Sequence, residues 1–261
     1  MEGAAWQSEG ETLEPLTASV SVLVSPQHTF NTDTLLLAWY AAPRHRDSCA
    51  DFGTGCGTIP LLWQSRFAPA HITAVELQEN AYSMARRSVE LNGFTDSITV
   101  LQRDLRELSP QREPWMGNLD VVACNPPYQE WGTGLVNVDD SRRLARHAAT
   151  CTMDDVCRAA NAALKYGGKL FLCQRPQRLC DAMDAMRRTG LEPKRLRLVQ
   201  QRPDKPPSLF LLEGKKGARP GLRVEPVLFI EQEGGAFSPE MLEVYGEYKR
   251  HGRTGRKGGA G

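Results

Sequence analysis

The chain has 261 residues, 41% of them hydrophobic and 24% charged, with a formal net charge of +1. That length suffices for one large domain with a substantial core, and the composition is that of a globular protein rather than a disordered or fibrous one. No apolar run approaches the ~20 residues of a membrane helix, and the start lacks a basic stretch followed by an apolar run, so neither a membrane partner nor a secretory leader is expected.

Seven cysteines stand singly at positions 49, 56, 124, 151, 157, 173 and 180. None forms a Cys-x-x-Cys pair, so they read as reduced residues of a cytoplasmic protein and not as a metal or disulfide set. The near-zero net charge hides an asymmetry. Residues 1–164 hold 12 Lys/Arg against 20 Asp/Glu, and residues 165–261 hold 20 against 11, so the two parts carry −8 and +9. The basic part suits a polyanionic partner, or it is ordinary solvated charge.

In chain order, residues 1–16 are polar and aperiodic and are expected to fray. Val20, Val22 and Val24 alternate with small polar residues, which predicts a half-buried strand over 18–25. Asn31 or Thr32 can cap a helix through Leu35, Leu36, Leu37 and Trp39 that stops before Pro43. A strand over 48–52, a glycine loop, and a helix over 58–67 follow. The next strand is 71–77, then a helix over 79–92 stopped by Gly93. Strands at 97–102 and 119–124 lead to Asn125-Pro126-Pro127-Tyr128. Thr152 and Asp155 resemble a capping box for a helix reaching Leu164, which Gly167-Gly168 is expected to end. A strand over 169–173 and a helix over 178–189 complete the alternation. Three neighbouring strands are then expected at 194–201, 208–213 and 223–230, before a last helix opened by Ser238-Pro239.

Alternating strands and helices predict an α/β fold with a mostly parallel sheet. The expected divisions are a frayed segment 1–16, a single domain 17–248 and a flexible basic tail 249–261. Within the domain, 17–46 form an entering strand and helix, 47–190 a ligand-binding core, and 191–248 antiparallel strands and the last helix.

Asp51-x-Gly53-x-Gly55-x-Gly57 lies between a predicted strand and helix. Glycines there permit a tight turn and close approach of a ligand to the backbone. The dinucleotide fingerprint spaces its glycines Gly-x-Gly-x-x-Gly; this Gly-x-Gly-x-Gly loop after an acid suits a nucleoside without a pyrophosphate. Glu76 ends the second strand, where an acid can hold ribose hydroxyls, and Asp104 follows the third, where it can accept from an adenine amino group. Leu77 and Leu105 adjoin these acids.

Asn125-Pro126-Pro127-Tyr128 stops a strand ladder twice over, so the chain leaves the sheet there. Asn125 brings an amide with one carbonyl acceptor and two donors, and Tyr128 brings a flat ring. With the glycine loop, these residues resemble the class I S-adenosylmethionine-dependent methyltransferases, and the tetrapeptide resembles those that methylate a planar nitrogen. Phe30-Asn31-Thr32-Asp33-Thr34-Leu35-Leu36-Leu37, Arg146-His147, and the 203–207 turn followed by Leu209-Phe210-Leu211-Leu212-Glu213 are similar to the tRNA1(Val) adenine N6-methyltransferase family, which acts on the adenine at tRNA position 37. The resemblance implies a Rossmann-like, seven-stranded sheet with helices on both faces and an antiparallel last strand. It implies S-adenosyl-L-methionine as cofactor and tRNA as partner.

On this reading Asn125, Pro126, Pro127 and Tyr128 are the catalytic residues. Asp51, Gly53, Gly55, Gly57, Glu76, Leu77, Asp104, Leu105, Asn125 and Asp33 are candidates for holding the cofactor. Tyr128, Arg142, Arg143, Arg146, Lys215 and Lys216 are candidates for meeting the substrate, and the tail cations from Lys249 to Lys257 can track phosphates. No metal is expected. A monomer is the expectation, although no feature fixes the oligomeric state. The same tetrapeptide also fits a glutamine amide on a release factor or an adenine of ribosomal RNA. A non-enzymatic RNA-binding protein would not require it.

Overall fold

The computed structural model describes residues 6–126, 151–246 and 248. A two-stranded antiparallel ribbon, β1 (Thr12–Pro15) and β2 (Ser21–Val24), precedes helix α1 (Thr32–Ala41). Then come β3 (Ser48–Phe52), α2 (Thr58–Phe67), β4 (His71–Glu76), α3 (Glu79–Leu91), β5 (Ile98–Gln102) and β6 (Leu119–Cys124). The chain continues with α4 (Met153–Ala163), β7 (Leu164–Gln174), α5 (Leu179–Arg188), β8 (Leu191–Gln200) and β9 (Pro207–Lys216). Short strands β10 (Arg223–Val224) and β11 (Leu228–Phe229) precede α6 (Pro239–Tyr245).

The main sheet runs β8-β9-β7-β6-β3-β4-β5, with β9 antiparallel to both of its neighbours. β3, β4, β5, β6 and β7 are parallel. The sheet alternates side chains between two cores, as period-two strands require. Cys49, Ile72, Ala74, Val121 and Ala123 pack with α1, α2 and α3 on one face. Ala50, Phe52, Val75, Val122 and Cys124 pack with α4 and α5 on the other. This is the Rossmann-like architecture expected from the alternating pattern.

Local chemistry sets the helix ends. The Asn31 side-chain oxygen caps α1 by accepting from the Thr34 backbone N–H. Thr152 and Asp155 form a reciprocal capping box at α4. Arg66 on α2 donates to the carbonyls of Val244 and Tyr245, placing a cation at the end of α6.

Three expectations need correction. The segment 1–16 was expected to fray, yet Thr12–Pro15 form β1, held by the Arg87–Glu11 ion pair to α3. Gly167-Gly168 do not end a helix. α4 stops at Ala163, and both glycines lie within β7 where its register with β6 shifts. A Cβ on Gly168 would sit 2.8 Å from the Leu119 carbonyl oxygen, so the irregularity requires glycine. The expected strand 223–230 is instead the two short strands β10 and β11. Both pair with β8 in parallel, so the expected antiparallel closure is made by β9 against β7 and β8 and not by this segment.

Candidate active site

Parallel strands β3, β4, β5 and β6 all end at one edge of the sheet, and their C-terminal residues gather there. The chain winds one way from β3 through β4 to β5, and the other way from β6 to β7. The crevice where strand order reverses is where ligands bind in open α/β sheets. Here it lies between the end of β3, with Asp51 and the glycine loop, and the end of β6, with Asn125.

The glycine loop is built from three left-handed turns: Gly53 at φ +72°, Gly55 at +57° and Gly57 at +90°. They serve different ends. A Cβ on Gly57 would press on Ala85 Cβ at 3.2 Å, so this glycine lets α2 pack tightly on α3. Around Gly53 and Gly55 no atom lies within 4 Å of such a Cβ, so these two border open space.

The loop's own N–H groups are committed within the protein. Gly53 and Thr54 donate to the Val75 carbonyl at 2.9 and 3.0 Å, and Gly57 donates to Thr54 at 3.0 Å. Gly55 donates to Glu76 Oε2 at 2.9 Å, while Glu76 Oε1 accepts from Gln78 N at 2.8 Å. A phosphate-binding loop turns such groups toward its anion. This loop presents carboxylates instead, which suits a ligand carrying positive charge and hydroxyls.

Asp51 makes the point most sharply. It is 1% exposed, and neither carboxylate oxygen has a hydrogen-bond partner among the described residues. Burial pushes its carboxyl up to about 7, with the nearby Thr54 hydroxyl pulling it down and Glu76 adding a smaller upward push. That hydroxyl is buried and makes no other hydrogen bond among the described residues. A buried acid without a partner is costly unless something supplies one. An ammonium or sulfonium group would do so.

Asn125 follows β6 at the other wall of the crevice. Its amide Nδ2 donates to Thr34 Oγ1 at 3.4 Å, which joins it to the start of α1. Asp33 sits in that same first turn and accepts from Asn31 Nδ2 at 3.4 Å. Asp33 thus shares the first turn of α1 with Thr34, the residue that meets Asn125. The sequence marks Asn31 only as a helix cap and Thr34 only as part of the Phe30–Leu37 resemblance, and neither signal says that Thr34 touches Asn125.

Asp104 follows β5 and is engaged by Arg106. Its Oδ1 accepts from Arg106 N and Nε at 2.9 Å, and the guanidinium pairs with both oxygens. An adenine amino group would therefore share this carboxylate with Arg106. Leu77 is exposed at the edge and Leu105 half-buried.

Lys215 and Lys216 are not part of this edge. Because β9 runs antiparallel, its last residues pair with Lys169 and Leu191, at the opposite end of the sheet. There Lys216 Nζ donates to the carbonyls of Asn161 and Leu164 at 2.6 and 2.7 Å, capping α4. Pro127, Tyr128, Arg142, Arg143, Arg146 and the tail cations lie outside the described residues, whereas Pro126 is described and half-buried.

Strand order, glycine loop and flanking acids together define a class I methyltransferase fold. The family model for the methyltransferase small domain matches residues 25–189, and the chain belongs to that family. It is an S-adenosyl-L-methionine-dependent methyltransferase. The tRNA1(Val) (adenine(37)-N6)-methyltransferase of Parabacteroides distasonis is 30% identical over 70% of this chain and 74% of its own length. The enzyme of that name from Porphyromonas gingivalis is 29% identical over 82% and 85%. Among solved structures, a predicted O-methyltransferase from Agrobacterium tumefaciens superposes with TM-score 0.67 at 26% identity, covering 83% of this chain and 96% of that one. No helix among the described residues is long and apolar enough to cross a membrane.

Proposed function

We propose that the chain is a tRNA adenine N6-methyltransferase acting in the cytoplasm, with the adenine at position 37 of tRNA1(Val) as its target. The observation that carries this reading is the position of Asn125: an amide at the end of β6, across the topological switch from an unpartnered, buried Asp51. The relatives' names and the basic C-terminal part of the chain support tRNA as the acceptor.

Asp51 and Glu76 would hold the cofactor, Asp51 facing its cationic amino-acid end and Glu76 its ribose hydroxyls, with Gly53 and Gly55 leaving room for it. Bound S-adenosylmethionine supplies an electrophilic methyl group. The chain's own contribution falls on the acceptor. An adenine amino nitrogen is a poor nucleophile because its lone pair is delocalised into the ring. Accepting its two hydrogens, one at Asn125 Oδ1 and one at the Pro126 carbonyl, favours a pyramidal nitrogen and fixes the direction of its lone pair. The rate gain comes from orientation and placed dipoles, with no covalent intermediate on the enzyme. Tyr128 would stack on the base, worth ~1–3 kcal/mol. Extracting a base from a loop costs less than from a duplex. The displaced proton can leave to water, so no strong base is required.

Incubation with labelled S-adenosylmethionine and either bulk tRNA or a release factor tests the acceptor class. Label should appear in tRNA. Label in the release factor alone would assign Asn125 to a glutamine amide and overturn the RNA reading.

A further inference from the structure

An asparagine amide has a donor end and an acceptor end of nearly the same shape. Gripping an NH2 group requires the acceptor end; a reversed amide would oppose NH2 to NH2. The identity of the residue therefore does not suffice, and something must choose its orientation. We propose that Thr34, backed by Asn31 and Asp33, is a positioning residue that sets which end of the Asn125 amide meets the substrate nitrogen. This rests on the role given to Asn125 above.

The choice follows from donors and acceptors that cannot be exchanged. The Thr34 backbone N–H can only donate, and it donates to Asn31 Oδ1 at 3.1 Å. That fixes Asn31, whose other end, Nδ2, reaches the acceptor-only carboxylate of Asp33 at 3.4 Å. The Thr34 hydroxyl then spends its one hydrogen on Asn31 Oδ1, 3.3 Å away. Its oxygen has only lone pairs left to offer, so the group it meets at 3.4 Å must be the Asn125 NH2. The hydrogen bonds run in one direction from Asn125 to Thr34 to Asn31, and Asn31 is itself pinned to an anion. Chains of this kind polarise one another. Oδ1 of Asn125 is thereby placed at the end of the amide away from Thr34. The relay is held on a fixed base, since the neighbouring Thr32 hydroxyl lies 3.1 Å from the Tyr245 hydroxyl of α6.

The test uses the full chain with bulk tRNA and labelled S-adenosylmethionine, comparing Thr34→Val, Thr34→Ser, Asn125→Asp, Asn125→Ala and the Thr34→Val/Asn125→Asp double variant. Thr34→Val keeps the shape and loses the hydroxyl. It should lower kcat about fivefold, the worth of one neutral hydrogen bond, with the cofactor Kd and thermal midpoint unchanged. Thr34→Ser should restore the rate. A carboxylate offers an acceptor whichever way it turns, so in the Asn125→Asp background Thr34→Val should cost less than about twofold. A wild-type rate in Thr34→Val, or failure of Thr34→Ser to restore it, would overturn the proposal. An equal penalty in both backgrounds would also overturn it, because it would mark a merely structural role. If Asn125→Asp turns over too slowly to complete the cycle, the serine rescue decides alone. Full activity in Asn125→Ala would instead remove the reading on which the proposal stands.

Discussion

Two carboxylates lie equally deep in this sheet and are treated in opposite ways. Glu213 on β9 is 3% exposed and is met by Arg195 at 2.5 Å and Lys169 at 3.2 Å. Asp51 on β3 is 1% exposed, and among the described residues neither of its oxygens has a hydrogen-bond partner or an ion pair. The Arg195 guanidinium also sits 4.6 Å over the Tyr40 ring, so the Glu213 cluster is neutralised and packed. Burial of a charge is costly in both places. At Glu213 the fold offsets the cost with its own cations. At Asp51 the cost is left standing, at the switch point of the sheet, beside two glycines that open onto space. On the proposed reading, this buried acid, which the described residues leave without a partner, is where the cationic end of the cofactor would sit.

That contrast can be broken most strongly at Glu213. Glu213→Gln should cost about 3 kcal/mol of stability in denaturant unfolding, at the low end for a buried pair because Arg195 keeps Glu225 at 3.3 Å and both cations reach solvent. Cofactor affinity should not move. Asp51→Asn should do the reverse. The cofactor-free protein should gain about 2–3 kcal/mol at pH 8, less than the full charge penalty because the new amide also lacks a partner. Cofactor binding should weaken by at least about tenfold, read by calorimetry. Equal destabilisation by both substitutions would erase the distinction.

The pH dependence sharpens the same point. Asp51 has its carboxyl raised from an ordinary 3.8 to about 7 in the folded protein. Folding therefore holds a proton that the unfolded chain releases, and this group's contribution to stability falls as pH rises from about 4 to about 7. The stability gain of Asp51→Asn should grow over that window and level off above it. A cationic ligand prefers the ionised acid, so cofactor affinity should tighten about fivefold between pH 6 and pH 7. In Asp51→Asn it should stay flat. The smallest effect concerns the opposite edge. Lys216→Ala should cost about 1 kcal/mol by removing the cation at the end of α4, and the tRNA KM should change by less than about twofold.

Much of this edge was legible because its signals are local. The strand over 48–52, the helix over 58–67 and the strand over 119–124 have the bounds read from composition and turn residues. The glycine loop and the strand-ending Glu76 were legible from their order along the chain. What escaped the sequence was long-range. Thr34 meets Asn125 across 91 positions, and no pattern near either residue announces it. Glu11 finds Arg87 across 76 positions, which is why a polar start forms a strand instead of fraying. The position of Lys215 and Lys216 was not legible, because charge carries no direction. Only the antiparallel course of β9 takes them away from the crevice. Asp104 was readable as an acid at a strand end, yet its competition with Arg106, two residues on, depends on side-chain geometry.

On the proposed function, Asn125 holds the amino nitrogen of a tRNA adenine in place for methyl transfer from S-adenosylmethionine. Nucleoside mass mapping of tRNA from cells lacking this protein tests it most directly, with wild type or Asn125→Ala restored. One N6-methyladenosine should disappear, return with wild type, and stay absent with Asn125→Ala. An unchanged set of modified nucleosides, or full restoration by Asn125→Ala, would contradict the account.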